Sequence, residues 1–175
     1  MATPRCQRDR SIQGAGQGLM KPDLTPELST IMPVEPIRPR RSFIDTNLLL
    51  YCDDSSQPEK QKKALELVVE HRKHNTGVVS IQVLQEYYAN SVRKYGADPL
   101  VARKKVEIYA RFEVVEPSVA DLMAAIDLNR TQMISYWDAM IVHCAQRSGC
   151  RVLLSEDMQH GQTINGVRIV YPFVE

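Results

Sequence analysis

The stretch that decides the fold is Ser42-Phe43-Ile44-Asp45-Thr46-Asn47-Leu48-Leu49-Leu50-Tyr51. Ser42 to Asp45 is a short apolar run ending in an acid, the pattern of a buried strand. The apolar residues from Leu48 follow at once and read as the first turns of a helix. A strand passing directly into a helix is the opening of a parallel α/β unit. The same alternation recurs downstream. Asp53 to Pro58 is a loop, and Pro58 is placed to start a helix that runs from Glu59 to about Lys73. Asn75-Thr76-Gly77 breaks it. Val78 to Ser80 is a second strand, Ile81 to Tyr95 a helix closed by Gly96, and Asp98 to Tyr109 a helix capped by Asp98. Phe112 to Val115 is a third strand. Helices over Ser118 to Thr131 and Ser135 to Ser148 follow, then a fourth strand at Arg151 to Ser155. Asn165-Gly166 marks a turn before Val167 to Tyr171, which reads as an edge strand. These elements predict a parallel α/β architecture with helices on both faces of the sheet. No internal repeat at solenoid spacing is found.

Outward from this core the composition changes. Residues 1–40 hold six of the ten prolines, the glycines Gly14, Gly16 and Gly18, and almost no aliphatic pattern. Such a segment cannot bury enough apolar surface to offset its ordering entropy, so it reads as a disordered tail. Six basic and four acidic residues give residues 1–40 a charge of +2, which leaves −1 on residues 41–175 of a chain whose total is +1. That balance excludes a surface that is basic throughout, though not a local basic patch. No apolar run approaches the ~18 residues of a membrane span, and the N-terminus lacks the apolar core of a secretory signal. Cys6, Cys52, Cys144 and Cys150 form no C-x-x-C pair and read as reduced thiols of a cytoplasmic protein.

Four acids fall at element ends. In open α/β sheets ligands collect at the carboxyl ends of the strands. Asp45 ends the first strand, and Asp157 lies just beyond the fourth. Asp138 is near the start of its helix at the margin of an apolar stripe, next to Trp137. Glu86 is on the helix after the second strand. Each has an ordinary alternative: Asp45 as a helix cap, Asp138 as a partner of the helix dipole, Glu86 as a solvated residue, Asp157 as a turn acid. Together, several carboxylates converging on one strand-end cleft repel one another, and a divalent cation resolves the repulsion. Oxygen-only ligands suit Mg²⁺ or Mn²⁺ rather than zinc. The chain offers no Ser-His-Asp arrangement and no H-x-x-x-H spacing. His71 and His74 read as solvated, His143 points away from Asp138, and His160 is close enough in sequence to Asp157 to approach the cleft.

Here the sequence resembles the PIN-domain family. Phe43-Ile44-Asp45-Thr46-Asn47 is similar to its opening strand motif, and Ser80 to Tyr87, with Glu86, to its second acidic motif. Ser135 to Val142, with Asp138, is similar to the third, and Leu153 to Met158, with Asp157, to the fourth. The likeness runs from residue 41 to about 173. The single-domain size is most similar to the toxin half of prokaryotic VapBC toxin–antitoxin pairs, although those toxins generally lack so long an N-terminal tail. The resemblance implies a three-layer fold with a mostly parallel sheet of four to five strands, and residues 41–175 as a nuclease domain. It implies a ribonuclease in which Asp45, Glu86, Asp138 and Asp157 hold Mg²⁺ or Mn²⁺. Glu156 competes with Asp157 for that role, and the motif matches Asp157. Thr46, Asn47 and Ser155 would orient the carboxylates or a water. RNA as substrate, a cognate antitoxin and a homodimer are implied too. RNA processing or decay, and a non-catalytic interaction module, stand as alternatives. Among the basic runs, Arg93, Lys94, Arg103 and Lys104 are the preferred RNA-backbone contacts, because their helices follow the Glu86 element. A haloacid-dehalogenase-like phosphatase is disfavoured by Asn47, where that family places a second Asp, and a Rossmann binder by the lack of glycine after the first strand.

Overall fold

The computed structural model describes residues 40–174. Apart from Arg40, the tail expected over residues 1–40 lies outside the described residues. The elements are β1 (Ser42–Ile44), α1 (Thr46–Tyr51), α2 (Pro58–His74), β2 (Gly77–Ser80), α3 (Ile81–Tyr95), α4 (Pro99–Tyr109), β3 (Glu113–Val115), α5 (Val119–Gln132), α6 (Tyr136–Arg147), β4 (Val152–Leu154), β5 (Thr163–Ile164) and β6 (Val167–Val170). The strands form one sheet in the order β3-β2-β1-β4-β6-β5. All pairings are parallel except β5 with β6. Helices flank the sheet, in a three-layer α/β arrangement.

Local chemistry explains the boundaries. Pro58 opens α2, and Asn75 ends it in the left-handed conformation at φ 53°. Gly96 closes α3 at φ 64°, a backbone region that residues with a Cβ avoid. Ser118 and Asp121 form a reciprocal capping box at α5. Gly77 has a different reason: a Cβ there would lie 2.6 Å from the Phe112 ring and 3.1 Å from Ile44, so β2 approaches its neighbours closely only without a side chain. Phe43, Ile44, Val78, Val79 and Leu153 from the central strands are fully buried, with Leu48, Leu49, Val83 and Val142 from the helices.

The sheet has six strands rather than four to five, and β6 is not its edge. The Asn165-Gly166 turn, with both residues at positive φ, folds the two-residue β5 back onto β6 as the outermost strand. Two residues are too few for a sequence period to show. His71 is buried rather than solvated, its Nδ1 2.9 Å from Thr76 Oγ1 at the end of α2. The sequence order reverses between β1 and β4, the two strands whose ends carry Asp45 and the Ser155–Asp157 turn. Such a switch point opens a crevice at the carboxyl ends of the strands.

Candidate active site

The crevice is a cleft of about 690 Å³ whose lining includes Asp45, Thr46, Asn47, Gln82, Glu86, Lys94, Tyr95, Trp137, Asp138, Glu156 and Asp157. The four acids singled out in the sequence thus share one cleft. Lys94 is the one cation among the described lining residues, against five carboxylates.

Asp45 sits at its base. It caps α1, its Oδ1 accepting from Thr46 N at 2.7 Å. Its Oδ2 accepts from Ser155 Oγ at 2.6 Å and from Asn47 Nδ2 at 3.3 Å. The side chain is buried. Burial pushes its carboxyl up to about 6, the Ser155 and Thr46 bonds oppose that rise, and the charges of Asp157 and Glu86 add to it. The helix cap and the cleft acid, alternatives in the sequence, are one residue with both positions filled.

Thr46 and Ser155 each join two parts of the site. Thr46 donates its backbone N–H to Asp45 and its hydroxyl to Glu86 Oε2, at 2.9 Å. Ser155 Oγ donates to Asp45 and accepts from Asp157 N at 3.2 Å, which ties the β4 turn to β1. Glu86 Oε1 accepts from Gln82 Nε2 at 2.8 Å. Gln82 was not singled out in the sequence, although its i, i+4 spacing to Glu86 places the two on one helix face. Asp138 is held by the helix cap: its Oδ2 accepts from Ser135 Oγ at 2.7 Å and its N–H donates to the same oxygen at 3.1 Å. Glu156 is engaged elsewhere. It pairs with Lys60 of α2 and accepts from Tyr171 OH at 3.1 Å. Against the burial that would raise it, the Lys60 ammonium holds Glu156 below the usual carboxylate range. Asp157 is the more exposed of the two.

The donor set fits a hard cation in chemistry. Every ligand candidate is an oxygen, the charge is negative, and two buried acceptors of lining residues, Asn47 Oδ1 and Gln82 Oε1, have no hydrogen-bond partner. Buried polar atoms left without partners are uncommon and costly. Among the described residues no three Asp, Glu, His or Cys side chains close around one point. The acids line the cleft without closing around one point.

Of the four expected RNA contacts, Lys94 lines the cleft, and Arg93, Arg103 and Lys104 do not. Arg103 pairs with Glu107 at 3.0 Å and borders an apolar hollow with Ile81, Leu84 and Tyr88. The angular step between successive helix residues, about 100°, separates neighbouring charges onto different faces. His160 also lies outside the lining, where its Nδ1 accepts from Tyr171 N at 2.9 Å. His143 faces Asp121 at 2.8 Å, away from the cleft as expected.

The PIN domain family model matches residues 42–163, most of the described chain. This chain belongs to the PIN domain family. Two solved structures are similar to it in fold. One is Mycobacterium tuberculosis VapC20, a sarcin–ricin-loop-cleaving toxin. It is 19% identical over 66% of this chain and 89% of that one, with a TM-score of 0.55. The other is Rickettsia felis VapBC2 bound to a DNA fragment from its promoter, 20% identical over 73% of this chain and 96% of that one, with a TM-score of 0.53. At such identities the likeness is one of fold. No curated protein matches the sequence significantly.

Proposed function

We propose that the chain is a divalent-metal-dependent ribonuclease, the toxin of a toxin–antitoxin pair. The observation that carries this reading is the convergence, in a PIN domain, of Asp45, Glu86, Asp138 and Asp157 on one cleft at the β1–β4 switch point. These four would hold Mg²⁺ or Mn²⁺, with Asn47 Oδ1 a further oxygen within the lining. When bound, such a cation activates a water toward the phosphodiester and stabilises charge on the leaving oxygen. Thr46 and Ser155 fix the orientation of Asp45 and Glu86 through their hydroxyls. Lys94, which lines the cleft, would meet a backbone phosphate of the RNA. Glu156, neutralised by Lys60, anchors the turn that carries Asp157 rather than acting as a ligand.

The fold likeness to VapC20 and VapBC2 supports the toxin role over general RNA decay. A neighbouring antitoxin as partner, a homodimer as the working form and the cytoplasm as its place belong to the same proposal. No described helix is long and apolar enough to cross a membrane. The test is cleavage of RNA by the purified chain with Mn²⁺ or Mg²⁺, with EDTA as control. Cleavage that needs the cation supports the reading. Absence of cleavage, or cleavage indifferent to EDTA, refutes it.

A further inference from the structure

Resting on the ribonuclease reading of the cleft, we infer that Trp137 is a stacking platform for an unpaired RNA base beside the phosphate to be cut, so that the site takes a strand that is unpaired there. Trp137 is the chain's single tryptophan. It is 62% exposed, although tryptophan is on average among the more buried residue types. It lines the acidic cleft immediately before Asp138. The Tyr136 ring meets the indole at 5.1 Å in a T-shaped contact with an interplanar angle of 66°. The exposed indole is therefore supported by a neighbouring ring. Tyr95, 49% exposed, comes to the same cleft from α3 beside Lys94.

Electrostatics makes such a contact useful. With five carboxylates and one lysine in its lining, the cleft repels a polyanion through most of its own side chains. Stacking of a base on an aromatic ring gives affinity that does not depend on charge. It also selects strand state, because a paired base inside a duplex offers no free face.

The test combines kinetics and fluorescence on the full chain with Mn²⁺ and a short single-stranded RNA. Trp137→Ala is expected to raise KM by roughly 5- to 150-fold, the range of one stacked base, with kcat within about threefold. Trp137→Phe should restore most of the loss. In stopped flow, before turnover, the single-stranded RNA should quench the fluorescence of Trp137, and the same RNA annealed into a duplex should not. Abasic nucleotides walked along the RNA should identify one position that raises KM in the wild type and adds nothing in Trp137→Ala. An unchanged KM in Trp137→Ala, or equal quenching by duplex and single strand, overturns the inference and assigns the exposed indole to a protein partner. If the wild type cleaves RNA and Trp137→Ala matches it, only this inference falls. If the wild type cleaves no RNA, the ribonuclease reading falls and takes this one with it.

Discussion

Asp45 and Asp121 are both buried acids at helix N-termini, and their surroundings drive them in opposite directions. Asp121 on α5 accepts from Ser118 N and Ser118 Oγ, faces His143 Nε2 at 2.8 Å and pairs with Arg147. The Ser118 bonds, followed by His143 and Arg147, hold it well below the usual carboxylate range. Asp45 also accepts three hydrogen bonds, yet it rises to about 6. Hydrogen bonds are present at both. The difference is first desolvation: burial outweighs the bonds at Asp45, and the charges of Asp157 and Glu86 add to it, whereas at Asp121 the Ser118 and His143 bonds outweigh burial and Arg147 adds to them. Fold stability is served at α5 and opposed in the cleft, a common arrangement where a site is built for a ligand.

Substitutions at the two acids should separate activity from stability. Asp45→Asn keeps a residue able to cap α1 and removes a buried charge. RNA cleavage should fall by more than about 100-fold, beyond the 10- to 100-fold typical of losing a supporting partner, while the melting temperature stays level or rises. A parallel fall in both would erase the contrast. Thr46→Val and Ser155→Ala should each cost about 10- to 100-fold in cleavage, measured on protein whose circular dichroism is unchanged.

The pH dependence of the metal-free protein sharpens the comparison. The folded value of Asp45, about 6, lies above its ordinary 3.8, so the folded state is penalised above pH ~6 and relieved as pH falls toward ~4. Urea titrations should show wild type gaining on Asp45→Asn across that window, by roughly 2–3 kcal/mol. Asp121 is depressed, so its stabilisation is complete above its unfolded value near 4 and is lost as pH drops through the acid range. The smallest effect is expected at α5. Asp121→Ala should lower unfolding free energy by about 1–2 kcal/mol, the cost of a lost cap, and leave cleavage per folded molecule within about twofold.

Much of this was legible in the sequence because it depended on short-range rules. The run Ser42 to Asp45 before a helix, the breaks at Asn75 and Gly96, and the caps Asp98 and Ser118 all stand where local chemistry puts them. The gathering of Asp45, Asp138 and Asp157 followed from their positions at strand and helix ends, while Glu86, in the second turn of α3, was marked by the family motif. What failed to show depended on packing between distant residues. His71 looks polar on its helix and becomes buried against Thr76. Arg103 and Lys104 are close in sequence to the Glu86 helix, but the turn at Gly96 directs α4 elsewhere. Glu156 and Asp157 are adjacent acids: the family motif favours Asp157, but nothing local shows how Glu156 is engaged. Lys60, 96 residues away, separates them by pairing with Glu156.

Whether the cleft acids hold a divalent cation is tested by Mn²⁺-dependent thermal unfolding, without any choice of RNA. A cation that binds only the folded state raises the melting temperature with its concentration. The metal-free wild type should show a saturable rise with Mn²⁺ that is lost in Asp45→Asn and kept in Asp121→Ala. No rise in the wild type, or an equal rise in Asp45→Asn, would contradict it.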